Sequence, residues 1–568
     1  MKNKHSIPFK QLITALGGIC SALLIGQTAR AASPAGDVVG KVTVGYQGWF
    51  ACAGDGSPAN NWWWHWANNW GALPSNGNEG IKAWPDTTEY TTTFQTGYAN
   101  LGNGNPAKLY SCWNQQTVNT HFLWMQQNQI DTAALQRFNP NTQEGPIRDA
   151  VAANVRTAAE TYGRKFLIMY DATGWVNMQS EMKTDWTSKM SAYTSSSAYA
   201  RQNGKPVVCI WGFGFNDSNH PWSASVCLDV INWFKGQGCY VIGGVPREWR
   251  TGTGGSRSGY IGVYHAFNML QPWLIGAIGN IGDADNIYNN FEVGDQSDCN
   301  ANGIDYQPCV LPGDLSARQR VHGDLMWHEF YNAVRVGCQA IYISMYDEYN
   351  EGNQIAKTAA DGSWIPAGSG YLGLNEDGTW CTSDYYLRLT RDGGKMLKGQ
   401  IGLTSTRPTI PGGDNGGGGV VGPTNGSTYH LICQDSGKAL DNGGSTTVGT
   451  TVNQWANQAG NINQEWKLTA MSGGYFNLVC SRSGMALDNS GSTTNGSNVK
   501  QWTVNVGNLN QNWTFVNVGG TYPWHLKCQT GGLSLDNRGS TTDGTAVGQW
   551  SDGGSGNPNQ NWQLQFIR

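Results

Sequence analysis

Lys438-Ala-Leu-Asp-Asn-Gly-Gly-Ser-Thr-Thr447, Met485-Ala-Leu-Asp-Asn-Ser-Gly-Ser-Thr-Thr494 and Leu533-Ser-Leu-Asp-Asn-Arg-Gly-Ser-Thr-Thr542 are three versions of one phrase. Their aspartates, Asp441, Asp488 and Asp536, lie 47 and 48 residues apart. Nearly the same spacing carries Trp455, Trp502 and Trp550, and the triplets Gln464-Glu-Trp466, Gln511-Asn-Trp513 and Gln560-Asn-Trp562. A fixed period of this size marks one supersecondary unit used three times. A unit so short cannot bury a core of its own, so the three are expected to close around a shared axis, with the Trp of each triplet as core filler.

These residues resemble the ricin-type β-trefoil lectins over about 428–568. In such domains a sugar ring stacks on an aromatic side chain while a carboxylate and an amide take its hydroxyls. The resemblance implies a first sugar site of Asp441, Asn453, Trp455, Asn463 and Gln464, a second of Asp488, Trp502, Asn510 and Gln511, and a third of Asp536, Trp550, Asn559 and Gln560. Lys500 and Gly548 replace Asn453 in the later repeats, so the first site is expected to be the strongest. The plainer alternative is that these polar residues only cap tight turns.

The N-terminus reads as an export signal, expected to end at residue 31. Lys2, Lys4 and Lys10 precede an apolar run, Leu12 to Ile25, too short and Gly-rich to span a bilayer, and Ala29-Arg-Ala31 supplies a small-x-small cleavage site. Only 13% of residues are charged and the net charge is −4, which leaves no electrostatic footprint for nucleic acid or an anionic membrane. Twenty-six Trp exceed what a core would use, and exposed Trp suits sugar faces. The expected partners are therefore a polysaccharide or oligosaccharide and a carbohydrate ligand of the repeats, bound by a secreted monomer.

Of thirteen cysteines, Cys20 falls in the export signal, and the remaining twelve are compatible with disulfides in an oxidising compartment. Cys433, Cys480 and Cys528 occupy equivalent repeat positions and are expected to be separate buried thiols, whereas Cys299 and Cys309 could close a short loop.

A Pro- and Gly-rich stretch, 404–427, reads as a linker between the repeats and one long region, 36–403. That region alternates apolar runs with helical patterns. Strands are expected at Val42–Phe50, Thr132–Leu135, Phe166–Tyr170, Val207–Trp211, Tyr240–Val245, Leu270–Leu274, Tyr306–Leu311 and Ala340–Met345, with helices at Ile147–Tyr162 and Asp185–Asn203 among the connections. Eight strands with intervening helices predict a (β/α)8 barrel, so the fold class is α/β plus an all-β trefoil, with chemistry at the strands' C-terminal ends.

Unusual residues cluster at those ends. Tyr46, Trp49, His65 and Trp66 follow the first strand, and Trp211 and Asn216 the fourth. Trp249 follows the fifth, Trp273 the sixth, and Trp327 precedes the last. These are candidate substrate contacts. The last strand runs into Asp347-Glu-Tyr-Asn-Glu351-Gly-Asn-Gln-Ile355. Three acidic groups within five positions would repel one another unless a site uses them. In a turn entering a helix Glu348 and Glu351 would share one face.

That segment resembles the Asn-Glu-Trp-His-Glu-Gly-Thr-Gln-Ile stretch of glycoside hydrolase family 99, the endo-α-mannosidase and endo-α-mannanase group, and Gly45-Tyr-Gln-Gly-Trp49 and His65-Trp66 resemble its opening motifs. The resemblance implies that Glu348 is a base toward the substrate's 2-hydroxyl and Glu351 the general acid/base, with Asp347 beside them where the family has Asn. No cofactor or metal is expected, since Asp283 and Asp285 lack the pattern of a calcium loop. Three readings stand: a hydrolase using Glu348 and Glu351, a glycosidase of other mechanism using Glu248, and a non-enzymatic lectin or adhesin.

Overall fold

The computed structural model describes residues 33–567 apart from positions 60, 380, 412–422, 424, 459 and 519–521. The export signal and half of the expected linker lie outside the described residues.

Runs rich in Val, Ile and aromatic residues form parallel strands at Val42–Tyr46 (β1), Thr132–Arg137 (β2), Lys165–Asp171 (β3), Lys205–Trp211 (β4), Tyr240–Pro246 (β5) and Met269–Trp273 (β6). β7 is split into Asp305–Tyr306 and Cys309–Val310, and β8 is Ile341–Ile343. The break falls at Gln307-Pro308, where proline has no N–H for a ladder. The first piece of β7 pairs with β6 and the second with β8, while β8 pairs with β1, so the eight strands close into a barrel.

Both faces of these strands are buried, which is why their sequences are apolar without alternation. Leu167, Met169, Val207, Cys209, Ile242 and Tyr342 form one packed set, and their chain neighbours Ile168, Tyr170, Val208, Ile210 and Val241 another that includes the helices. Those helices include Gln115–Gln127 (α1), Gly145–Tyr162 (α2), Met178–Ser188 (α3), Ala224–Gly236 (α4), Ile281–Ile287 (α5), Val293–Asn302 (α6), Asp324–Arg335 (α7) and Tyr385–Leu397 (α8). The helix expected over Asp185–Asn203 is displaced: α3 stops at Ser188 and a 3-10 turn covers Met190–Ser195. There Thr194 and Ser195 bond the carbonyls of Ser191 and Ala192, a local competition that ends helices.

The start of the expected linker is docked on the barrel. Trp327 Nε1 donates to the Thr404 carbonyl (3.1 Å), Arg407 pairs with Asp324 (2.8 Å), Thr409 bonds Asp392 and Arg388 holds the Ile410 carbonyl. Trp327, buried in the apolar core of the barrel, is an anchor for this segment and presents no face to a substrate.

The C-terminal repeats each contribute four antiparallel strands. Thr428–Cys433, Trp466–Ala470, Phe476–Cys480, Trp513–Asn517, Trp524–Cys528 and Trp562–Phe566 pair in a ring that closes when the first meets the last. Trp466, Trp513 and Trp562 are fully buried in the shared core, and their indole N–H groups donate to the carbonyls of Leu440, Leu487 and Leu535 at 2.9, 2.9 and 3.0 Å. This is a β-trefoil.

The twelve described cysteines are all unpaired, which corrects the disulfide expectation, Cys299–Cys309 included. Cys433, Cys480 and Cys528 are buried thiols pointing at carbonyls of Pro558 and Asn559, Ile462 and Asn463, and Leu509 and Asn510, equivalent places in the three repeats.

Candidate active site

The chain leaves β8 through turns, not the expected helix, and Gly352, at φ +74°, is where it reverses. A Cβ there would lie 2.6 Å from an Asp314 carboxylate oxygen, so a side chain fits neither the backbone nor the space. The Asn353 amide closes the turn on the Glu348 carbonyl. Arg320, fully buried against the Tyr386 ring, clamps the carbonyls of Gly352 and Gln354 at 2.7 and 2.8 Å.

Within this turn Glu348 is buried and Glu351 is exposed. Gln47 Nε2, from the end of β1, donates to Glu348 Oε2 at 2.7 Å, and Glu348 Oε1 has no hydrogen-bond partner among the described residues. Burial pushes the Glu348 carboxyl up to about 8, the charge of Glu351 adds to this, and the Gln47 hydrogen bond opposes it. Glu351 is also raised, by the recessed surroundings of its carboxyl, with Lys82 pulling the other way. Glu351 lines a cleft of about 490 Å³ formed by the loops after β6, β7 and β8, together with Lys82, Asp283, Asp314, Gln319 and Asn353. Lys82 is bonded to Asp314 at 2.8 Å.

Asp347 is not a substrate contact. It is fully buried, and its oxygens accept the Gln47 and Gly48 amides at 2.7 and 2.8 Å, so it fixes the loop that carries Gln47. Burial raises its pKa to about 6. Tyr46, Trp66 and Trp249 are likewise buried and present no surface to a substrate: Tyr46 bonds His121 at 2.9 Å and Trp66 Nε1 the Tyr110 carbonyl at 2.8 Å.

Five expected contacts keep part of their surface. Trp49 stacks on His65 (3.9 Å, 7°) and on Phe138 (5.7 Å, 19°), making an aromatic wall at the β1 and β2 ends. His65 faces Glu144 at 3.3 Å, and burial lowers its pKa, leaving it neutral. Against burial, bonds from His65 and Arg148 draw Glu144 down to about 2. Trp211 and Trp273 meet edge to face at 5.3 Å, and Asn216 is exposed beside Gly254. Glu248 is paired with Arg247, with the Gly254-Gly255 turn packed on it. Asp283 bonds Gly279 and Asn280 at the start of α5, and Asp285 bonds His328; both are structural.

Gln47, Arg320, Lys82 and Asp314 escaped the sequence reading. So did Gln136 in β2, Gln271 in β6 and Arg148 in α2: Gln136 Oε1, Gln271 Nε2 and Arg148 Nε and Nη1 are buried with no hydrogen bond among the described residues.

In the trefoil, Trp455, Trp502 and Trp550 are 41%, 43% and 45% exposed, as stacking platforms must be. Each leans on a glycine of another repeat: Gly544, Gly449 and Gly496. Gln464, Gln511 and Gln560 are fully buried and are corrected from sugar contacts to supports. Gln511 and Gln560 donate to Asp488 and Asp536 at 2.9 Å, and all three hold backbone groups of their own repeat. Asp441, Asp488 and Asp536 each accept an amide two residues on. Asn453, Asn463, Asn510 and Asn559 stand at the rims of the same turns, near Gly443, Gly444, Gly491 and Gly539. A groove of about 360 Å³ in the third repeat is lined by Gly496, Asp536, Arg538, Trp550, Asn557 and Asn559.

Fold and surface define a two-part chain, a (β/α)8 barrel with a carboxylate-lined cleft followed by a trefoil with three aromatic faces. Residues 420–502 and 509–567 match the ricin-type β-trefoil lectin domain-like family. The chain is 39% identical to a designed three-fold symmetric protein, ThreeFoil, over 25% of this chain and 99% of that one (TM-score 0.23). It is 35% identical to an exo-β-1,3-galactanase from Clostridium thermocellum over 25% of this chain and 30% of that one (TM-score 0.23), so the chain spans under a third of the galactanase. The GH99 endo-α-mannosidase from Bacteroides thetaiotaomicron matches 64% of this chain and 98% of its own at 14% identity and a TM-score of 0.47. Among curated proteins none matches the chain.

Proposed function

We propose that the protein is an exported glycoside hydrolase in which Glu348 and Glu351 act as a pair and the trefoil holds the enzyme on a polysaccharide or glycan. The observation that carries this reading is the placement of Glu348, a buried carboxyl raised to about 8, beside Glu351 at the edge of the cleft over β6 to β8. The two carboxyls are coupled, since the charge of Glu351 helps to raise Glu348, and the chemistry below uses the form of the pair in which the shared proton is on Glu351. One acid and one base at the ends of barrel strands is what glycosidic cleavage requires.

In the chemistry implied by the family resemblance, Glu348 takes the proton of the substrate's 2-hydroxyl as that oxygen attacks C1, and Glu351 gives a proton to the departing glycosidic oxygen. Glu351 then deprotonates water, which opens the anhydro ring at C1 while the oxygen on C2 recovers its proton from Glu348. The proton count closes, and no cofactor is consumed. Gln47 keeps the Glu348 carboxylate aimed, and Lys82 with Asp314 lines the cleft beside Glu351.

The test is release of reducing ends from a panel of polysaccharides and glycans. The wild type should cleave at least one, and Glu351→Gln should lose about 10²–10⁴ in rate with its fold intact, as expected for a missing acid/base group. Near-normal kcat/KM for that variant on a confirmed substrate would show that the proton comes from elsewhere.

A further inference from the structure

The three trefoil faces are not equivalent, and the difference lies in one polar position next to each platform. The first repeat has Asn453, the second Lys500, and the third Gly548, which has no side chain. The space at Gly548 is not empty: a Cβ there would lie 2.5 Å from Arg538 Nη2. Arg538 replaces Gly443 and Ser490 of the other repeats and adopts φ +64°, a left-handed conformation that costs a non-glycine residue about 1 kcal/mol. Its Nη2 bonds the Gly496 carbonyl (2.7 Å) and Asn498 of the second repeat. Nε and Nη1 have no hydrogen bond among the described residues, and the exposed side chain lines the groove with Asp536, Trp550, Asn557 and Asn559.

We propose that this third groove takes a sugar carrying an anionic substituent, a carboxylate or a sulfate, and that Arg538 selects it. The proposal rests on the reading of the trefoil as a sugar-binding domain. Asp536 and Trp550 meet the hydroxyls and face of the ring, and the guanidinium, a planar donor suited to oxyanions, meets the charged group at the groove's edge. Arg538 and Gly548 act as a matched pair, since any side chain at 548 would displace the guanidinium.

The experiment uses the full-length protein labelled with 5-fluorotryptophan, with the Trp550 signal assigned through Trp550→Phe. The probes are methyl galactoside and methyl glucoside, each compared with its uronic acid counterpart. A uronide should shift the Trp550 signal at concentrations about two- to fivefold lower than its neutral partner, as expected for one exposed ion pair, and the preference should fade with salt. Arg538→Gly, which places the residue of the first repeat in a conformation that favours glycine, should remove the preference and keep the response to neutral sugar. Equal responses to both members of each pair, or an unchanged preference in Arg538→Gly, would overturn the proposal and leave Arg538 as a tie between repeats. If no probe moves the signal of Trp455, Trp502 or Trp550, the sugar-binding reading itself fails.

Discussion

Gln47 stands 301 positions before the glutamate it holds, and its amide donates to the Glu348 carboxylate while its backbone N–H meets Asp347. The side-chain bond favours the ionised form, so its loss should raise the Glu348 pKa further. Gln47→Leu should therefore move the alkaline limb of the kcat/KM profile, expected near 8 in the wild type, upward by about one unit, since a hydrogen bond to a charged group contributes about 1.5–3 kcal/mol. A pH profile decides it: a lower rate with an unmoved limb would make Gln47 merely structural. Glu348 and Glu351 stand out in the sequence as candidates because three acidic groups follow an apolar strand within five positions and because the segment resembles the family 99 stretch. Gln47 does not, because a glutamine between Tyr46 and Gly48 carries no signal until the barrel brings the ends of β1 and β8 together. The aromatics divided for a related reason. A Trp serves a core or a sugar face equally well, and only packing separates Trp66 and Trp249, which are buried, from Trp49 and Trp211, which are not.

At the scale of elements, period and apolar runs predict well and polar interiors do not. The eight strands and the three repeats fall where the sequence puts them, whereas the split of β7 follows from one proline inside an apolar run. Behind β7, a π-turn at Tyr288–Glu292 buries Glu292, and α7 buries Glu329. Burial raises Glu292 to about 8, helped by Asp295 and opposed by Arg335, and raises Glu329 strongly. Such a carboxyl keeps its proton in the folded state while the unfolded chain ionises from about pH 4.5 upward. Its favourable contribution is therefore present in full below pH 4.5 and is lost as pH rises toward 8. Glu292→Gln, which keeps shape and removes the proton, should raise Tm at pH 8 and change it little at pH 4.5. Thermal melts at the two pH values check this, and equal shifts at both would show that the Glu292 carboxyl ionises freely in the fold. The trefoil ties its repeats in a ring by similar buried amides. Gln501, Gln549 and Gln454 bond Asn442, Asn489 and Asn537 of a neighbouring repeat. No single repeat displays that device.

For the whole molecule, the docking of 404–411 moves the functional boundary of the barrel past the first Pro-rich residues. A fragment ending at 411 should melt about 3–8 °C above one ending at 403, because the shorter form loses the bonds to Thr404, Arg407 and Thr409. The fragment ending at 411 should match the full chain on soluble oligosaccharides and fall behind it on insoluble polymer, where the trefoil makes the encounter effectively intramolecular. Equal rates on polymer would remove the targeting role. The central claim is the division of labour between Glu348 and Glu351, and an activated glycoside tests it most directly, because a good leaving group needs no acid. On an aryl glycoside or glycosyl fluoride of the sugar that the panel identifies, Glu351→Gln should keep most of the bond-breaking rate, and Glu348→Gln should lose about 10²–10⁴ of it. With the Glu351 charge removed, the remaining rate should rise through a Glu348 pKa below about 8, since that charge contributes to raising it. The reverse pattern, with Glu348→Gln active on the activated substrate and Glu351→Gln inactive, would contradict the assignment.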